Sequence, residues 1–350
     1  MVLVSTACIS GVSSSHSLEL TEVLATIPAT DRWAPGYYHS FGITDNYFIL
    51  FETPERISLM KLITKQITSM SFNDCMYWDQ NLGVNVIIFD RIERKRVERK
   101  VTSDAFFTFH HANACLSTTV TSDAFFTFHH ANSYEKDGFL VLDYAKIMSP
   151  GNFDNLLLEH MRTGGFRSPK SGFKPHLYRM IIPLNVSEKS RPGDDLLSSC
   201  EFAGDCKAVL REDGSIHCTD MKMCDISLEF PRYCYDLNMR DYRYVYGSCL
   251  VHEENEKHGV VKVDLKDNTF KLWSKDAADH LCGEPILVNK PGYSKEDEGV
   301  LIVPVVTCRE GDVPYVVILS AETLEEQARF VVPQSRIPLG FHAHYTQRSN

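Results

Sequence analysis

Fourteen histidines and eleven cysteines give this 350-residue chain the donors to hold a metal ion. No histidine falls in a local ligand spacing such as His-Glu-x-x-His, and no Gly-x-Ser-x-Gly elbow, Walker loop or dinucleotide fingerprint occurs. Three histidines instead stand where an apolar, strand-like segment meets a turn. They are His39 in Tyr37-Tyr38-His39-Ser40-Phe41-Gly42, His129 in Phe128-His129-His130-Ala131-Asn132, and His342 in Gly340-Phe341-His342-Ala343-His344. Each alone reads as an ordinary core or surface histidine, although strand-end histidines from distant parts of a chain could converge on a propeller axis. The cysteines Cys200, Cys206, Cys218 and Cys224 are spaced more widely than the two to four residues structural zinc prefers, so loop thiols are the default and a zinc module the minor alternative.

The elements that must carry these histidines are mostly strands. Short runs rich in Val, Ile, Tyr and Phe, bounded by Gly, Pro, Asp or Asn, recur along the chain: 47–51, 84–89, 139–143, 178–184, 242–246, 300–306 and 315–319. Many short strands imply a sandwich, barrel or propeller. The runs 300–306, 315–319 and 328–332, joined by polar turns, read as a meander of the kind that makes a propeller blade. Helices are expected over Glu55 to Met70 and Asn152 to Arg162. The first carries an apolar stripe of Ile57, Met60, Leu62, Ile63, Ile67 and Met70 beside Lys61 and Lys65. Core packing is its ordinary use; with Arg32-Trp33 before it, peripheral membrane contact through Trp33 and Ile57–Met70 is the competing one.

One stretch is duplicated. Residues 101–113 recur letter for letter as 120–132, a period of 19 residues. Perfect identity confined to one place reads as a local duplication or a reading-frame assembly error rather than an architectural repeat. The second copy runs straight into Ser133 and the strand at Phe139, so it is expected to be the structural one, with Ala114 to Thr121 looping out.

With 43% hydrophobic residues the chain can bury a sizeable core. A net charge of -10 gives no footprint for a polyanion, and the basic cluster Arg94 to Lys100 is interrupted by Glu98. Nucleic acid is not an expected partner. The start lacks a basic region and a long apolar run, and no stretch is long and apolar enough to span a bilayer, so a cytoplasmic location with free thiols is expected.

Seven motifs in order resemble those of the carotenoid oxygenases, the non-haem iron enzymes that cleave or isomerise carotenoids and retinoids inside a seven-bladed β-propeller. They are His39-Ser-Phe-Gly-Ile-Thr-Asp-Asn-Tyr47 with Phe51-Glu-Thr-Pro54, Phe128-His-His-Ala-Asn-Ser-Tyr-Glu-Lys-Asp-Gly138, Leu228-Glu-Phe-Pro231, Tyr244-Val-Tyr-Gly247, Gly283-Glu-Pro-Ile286, Glu298-Gly-Val-Leu301 and Ile337-Pro-Leu-Gly-Phe-His342. The resemblance implies an all-β fold of that propeller type with short helices in its loops. It is expected to be incomplete, with early blades missing, residues 1–29 atypical, and residues 30–350 forming the partial propeller.

The same resemblance implies Fe(II) as cofactor and places His39, His129 and His342 on three of the family's four ligand positions. His110 is the equivalent of His129 in the first copy. Glu229 and Glu284 match two of the three glutamates that accept the outward ring N–H, and would back His129 and His342. The implied activity is cleavage of a conjugated double bond in a β-carotene-like carotenoid, with O2, to apocarotenals or retinal. Within the family, a retinoid isomerohydrolase is the alternative. An inactive propeller lacking the first ligand is the other.

Overall fold

The computed structural model describes residues 2–4, 26–97, 120–148, 174–249, 259–274, 280–307, 311–331, 333, 340 and 342–346. Among the described residues there are four large sheets, the first two of them interleaved along the chain. The first runs Lys207–Leu210, Ile216–Thr219, Val120–Ser122, Val84–Asp90, Tyr47–Glu52 and Gly42–Ile43, with Lys95–Arg96 also paired to Val84–Asp90. Next comes a four-stranded antiparallel sheet, His130–Lys136, Phe139–Lys146, His176–Pro183 and Met221–Ser227, whose fourth strand is reached after the chain has passed through the first sheet, and then a four-stranded antiparallel meander, Glu229–Arg232, Tyr244–Cys249, Gly259–Asp264 and Thr269–Ser274. The last joins His280–Cys282, Gly299–Thr307, Tyr315–Ser320 and Glu326–Val331, with Ile286–Asn289 also against Gly299–Thr307. Such meanders are the blades of a β-propeller.

Phe139–Lys146 is buried along almost its whole length, whereas Tyr315–Ser320, likewise between two partner strands, alternates buried and half-buried residues. The main core packs Phe51, Phe125 and Tyr144, with Phe51 edge-on to Phe125 and Tyr144 at 5.5 and 5.0 Å between ring centres. Charges buried with it are paired: Arg179 makes a two-pronged bond to Asp143, whose second oxygen also accepts from the Tyr242 hydroxyl. Cys206, Cys218 and Cys224 are buried in this core.

The structure shortens the first expected helix to Leu59–Thr68. Residues Glu55–Ile57 pair instead with Met76–Trp78, and Ser58 caps the helix by accepting the Lys61 N–H. Its apolar stripe does not pack inward: Met60, Ile63 and Ile67 are exposed. The second expected helix, Asn152 to Arg162, lies outside the described residues. The loop expected over Ala114 to Thr121 ends sooner, because Val120 and Thr121 pair with Val86 and Asn85 on one side and with Ile216 and His217 on the other. Among the described residues no helix is long and apolar enough to cross a membrane.

Candidate metal centre

Chemistry gathers at the edge strand of each sheet. His39 lies three residues before Gly42–Ile43, His129 immediately before His130–Lys136, Glu229 opens Glu229–Arg232, and Glu284 follows His280–Cys282. Strand alternation then separates the neighbouring histidines, because successive side chains point to opposite faces. His130 turns into the core, 4.8 Å from the Phe51 ring, where burial pushes its pKa down to about 3. His129 turns the other way.

One nitrogen from each of His39, His129 and His342 lies within 4.8 Å of the other two. The His129 Nδ1–H donates to Glu229 Oε2 at 2.6 Å, and the His342 Nδ1–H to Glu284 Oε1 at 3.3 Å. Both carboxylates are almost fully buried. With both Nδ1 atoms protonated, the two Nε2 atoms carry lone pairs, and these face each other at 3.3 Å. Neutral rings gain nothing from that contact, whereas a cation shared by them would relieve it. Two imidazole nitrogens bound to one divalent ion at roughly 2.1 Å lie about 3 to 3.5 Å apart, so the pair already has ligand spacing. Burial and the adjacent imidazoles of His129 and His342 hold the His39 pKa below its ordinary value, keeping that ring neutral as ligation requires. The donor set fits a divalent first-row metal.

The two carboxylates are held differently. Glu229 Oε2 also accepts the N–H of Phe230, a residue at φ 53° in the left-handed region. Gly247 makes room for this strand, since a Cβ there would sit 2.6 Å from the Leu228 side chain and 2.8 Å from the Glu229 carbonyl. Glu284 Oε2 accepts the Ala343 N–H at 2.8 Å and the Arg232 guanidinium at 2.8 Å, and Arg232 donates onward to the Ala343 carbonyl at 3.1 Å. His342 and Ala343 are thereby tied to the strand Glu229–Arg232 and to the connection after His280–Cys282 without joining a sheet.

Phe126, Phe128, Ile147 and Phe230, with Tyr37 and Trp78 against them, form an apolar cluster beside the histidines. Phe128 meets the His39 ring edge-on at 5.4 Å. Of the aromatics near the ligands in sequence, Tyr37 and Phe128 border the centre, whereas Tyr134 is buried in the main core and Tyr38 packs with Phe48 and Ile43. His110 lies outside the described residues. Sequence reasoning missed Arg232, although it directly follows the Leu228-Glu-Phe-Pro231 motif.

A profile of the retinal pigment epithelial membrane protein family matches residues 5–120 and 116–347, the two matches overlapping where the first copy of the duplicated stretch gives way to the second. The chain is 29% identical over 309 residues to human beta,beta-carotene 15,15'-dioxygenase, covering 88% of this chain and 52% of that protein. It is 28% identical over 344 residues to the human mitochondrial carotenoid-cleaving dioxygenase, covering 95% and 55%. The chain thus spans about half the length of the curated relatives it matches. Cobalt-substituted Synechocystis ACO superimposes with a TM-score of 0.60 at 21% identity, over 89% of this chain and 53% of that one. An ACO/RPE65 chimera gives 0.61 at 20% identity, over 88% and 53%.

Proposed function

The chain belongs to the retinal pigment epithelial membrane protein family of carotenoid oxygenases, and from that premise we propose that His39, His129 and His342 hold Fe(II) for oxidative cleavage of a carotenoid. The observation that carries this is the pair of Nε2 atoms facing each other at 3.3 Å, each on a ring whose Nδ1–H is taken by a buried glutamate. Fe(II), when bound, supplies the one-electron chemistry by which O2 reacts with a closed-shell polyene. Glu229 and Glu284 fix the tautomer of their rings and add negative charge behind neutral donors. Phe126, Phe128 and Phe230 offer an apolar, water-excluding wall against which a conjugated chain lies beside the histidines. The substrate class is a β-carotene-like carotenoid, and the products are the two carbonyl fragments of one conjugated double bond. Residues 30–350 are read as one propeller body and residues 1–29 as a segment outside it.

A substrate of this kind resides in lipid, and one surface suits that source. Trp33, Met60, Ile63, Ile67 and Phe72 are exposed together on and beside the helix Leu59–Thr68, where the Leu59 N–H donates to the Trp33 carbonyl. Lys61 and Lys65 on the same helix complement anionic headgroups. We assign this face to a bilayer surface; replacing Ile63 and Ile67 by Asp should reduce co-flotation with anionic liposomes severalfold.

The decisive experiment loads the chain with Fe(II) without air, counts bound iron, then adds β-carotene and O2 and looks for aldehydes by chromatography. Stoichiometric iron with aldehyde product is the expected result. A well-folded chain that takes no iron and yields no aldehyde would sink the reading.

A further inference from the structure

We propose that Glu55 makes this chain selective for a carotenoid that carries a hydroxyl on an end ring, its carboxyl hydrogen-bonding that hydroxyl beside the aromatic wall of the histidine centre. The inference rests on the carotenoid reading above and narrows its substrate class.

Register places the carboxyl. The Tyr37 N–H donates to the Glu55 carbonyl and the Ile57 N–H to the Pro35 carbonyl, each at 2.9 Å, on either side of the bridge between Gly36 and Arg56. Tyr37 therefore stands opposite Glu55, and Glu55 stands opposite Trp78 in the strand beyond. Residues directly opposite in antiparallel strands share a face, so Glu55 lies between Tyr37 and Trp78. Both of these aromatic neighbours pack on the cluster of Phe126, Phe128, Ile147 and Phe230, and the Tyr37 ring centre lies 6.4 Å from that of His39. Alternation sends Arg56 to the other face, where its guanidinium reaches Glu52 at 2.9 Å. Gly36 leaves that face open, since a Cβ there would sit 3.1 Å from the Glu52 Cγ. The charges of this patch are thus sorted, with the ion pair behind and one carboxyl among the aromatics.

The chemistry of that carboxyl selects its partner. Glu55 is 5% exposed, and burial pushes its pKa up to about 7, so near neutrality it passes between acid and carboxylate. A hydroxyl donates to the carboxylate and accepts from the acid, and so pairs with either form. A ring ketone only accepts, and pairs with the acid alone. A hydrocarbon ring pairs with neither and takes water from the carboxyl without replacing its hydrogen bonds. Sites built to bond a substrate hydroxyl discriminate in this way, by rejecting the analogue that lacks it.

The test titrates β-carotene and β-carotene bearing one ring hydroxyl, each dispersed in detergent, into the full chain. Binding is read as quenching of tryptophan fluorescence, Trp78 lying directly across from Glu55. Wild type should bind the hydroxylated form about 10-fold more tightly, the loss typical of a buried polar group left without its bond. In Glu55→Leu the ratio of the two affinities should fall to about one. In Glu55→Gln, whose amide also donates and accepts, most of the preference should remain. A role in packing alone would move both affinities together and leave the ratio as it was. Equal binding of the two forms by wild type, or an undiminished ratio in Glu55→Leu, overturns the inference and leaves the carotenoid reading standing. If neither form quenches wild type, the carotenoid reading itself fails and the selectivity falls with it.

Discussion

His129 with Glu229 and His342 with Glu284 make the same bond in unlike surroundings. The first histidine leads into a strand, its side chain 14% exposed, and its bond to the carboxylate is 2.6 Å. The second lies in a segment outside every sheet, its side chain 52% exposed, with a bond of 3.3 Å. Among the described residues Glu229 pairs with no basic side chain other than the imidazole, so its charge is available to that ring. Glu284 shares its charge with Arg232. One pair is built into the framework and the other is latched onto it. On the proposed reading, like contacts divide the labour: the first sets where a metal would sit, the second decides whether the segment around Ala343 is docked to complete the site.

The comparison breaks most readily at the two carboxylates. Glu229→Gln should cost about 100-fold in metal affinity and Glu284→Gln about 10-fold, the two ends of the range for such partners. Calorimetric titration with Co(II) measures both, and the reverse ranking would refute the division drawn here. Arg232→Met sharpens the second half. Freed of its two bonds, the segment around Ala343 should be cut severalfold faster by protease without metal, with a smaller loss of metal affinity than Glu284→Gln gives.

The smallest effect is expected at the duplication. The Val97 N–H donates to the Ile88 carbonyl, so the chain is already turning back toward Val86, the partner of Val120. Deleting residues 101–119 leaves residues 98–100 to make that connection, enough with a bulge. Stability should change by no more than about 0.5 kcal/mol in denaturant titration, as for changes away from a core. Metal affinity should also be unaltered, since the deletion removes His110 and keeps His129. A loss of binding would show that the first copy supplies the ligand.

Strands were legible wherever alternation or a turn marked them: Gly299–Thr307 and Tyr315–Ser320 extend the runs read from sequence by a residue at one or both ends. The helix start was misplaced because Ile57 continues the apolar stripe, although its backbone is committed to Met76. Ser58, a ready N-cap, was the signal that could have corrected it. At the centre, residue types alone could not choose between His129 and His130, since both carry the same ring one residue apart. The family pattern favoured His129 and the strand separates the two. Arg232 gained its part only through folding, which brings a glutamate 52 residues away in sequence against it.

The contact between His129 and His342 spans 213 residues of sequence. On the proposed reading, the ion is a reversible crosslink closing a loop of that length. Closure entropy grows only with the logarithm of loop length, so joining such remote points costs the chain little more than joining near ones. Metal occupancy and docking of the C-terminal segment are then one equilibrium, and a chelator would act on the molecule as a partial denaturant confined to its final residues.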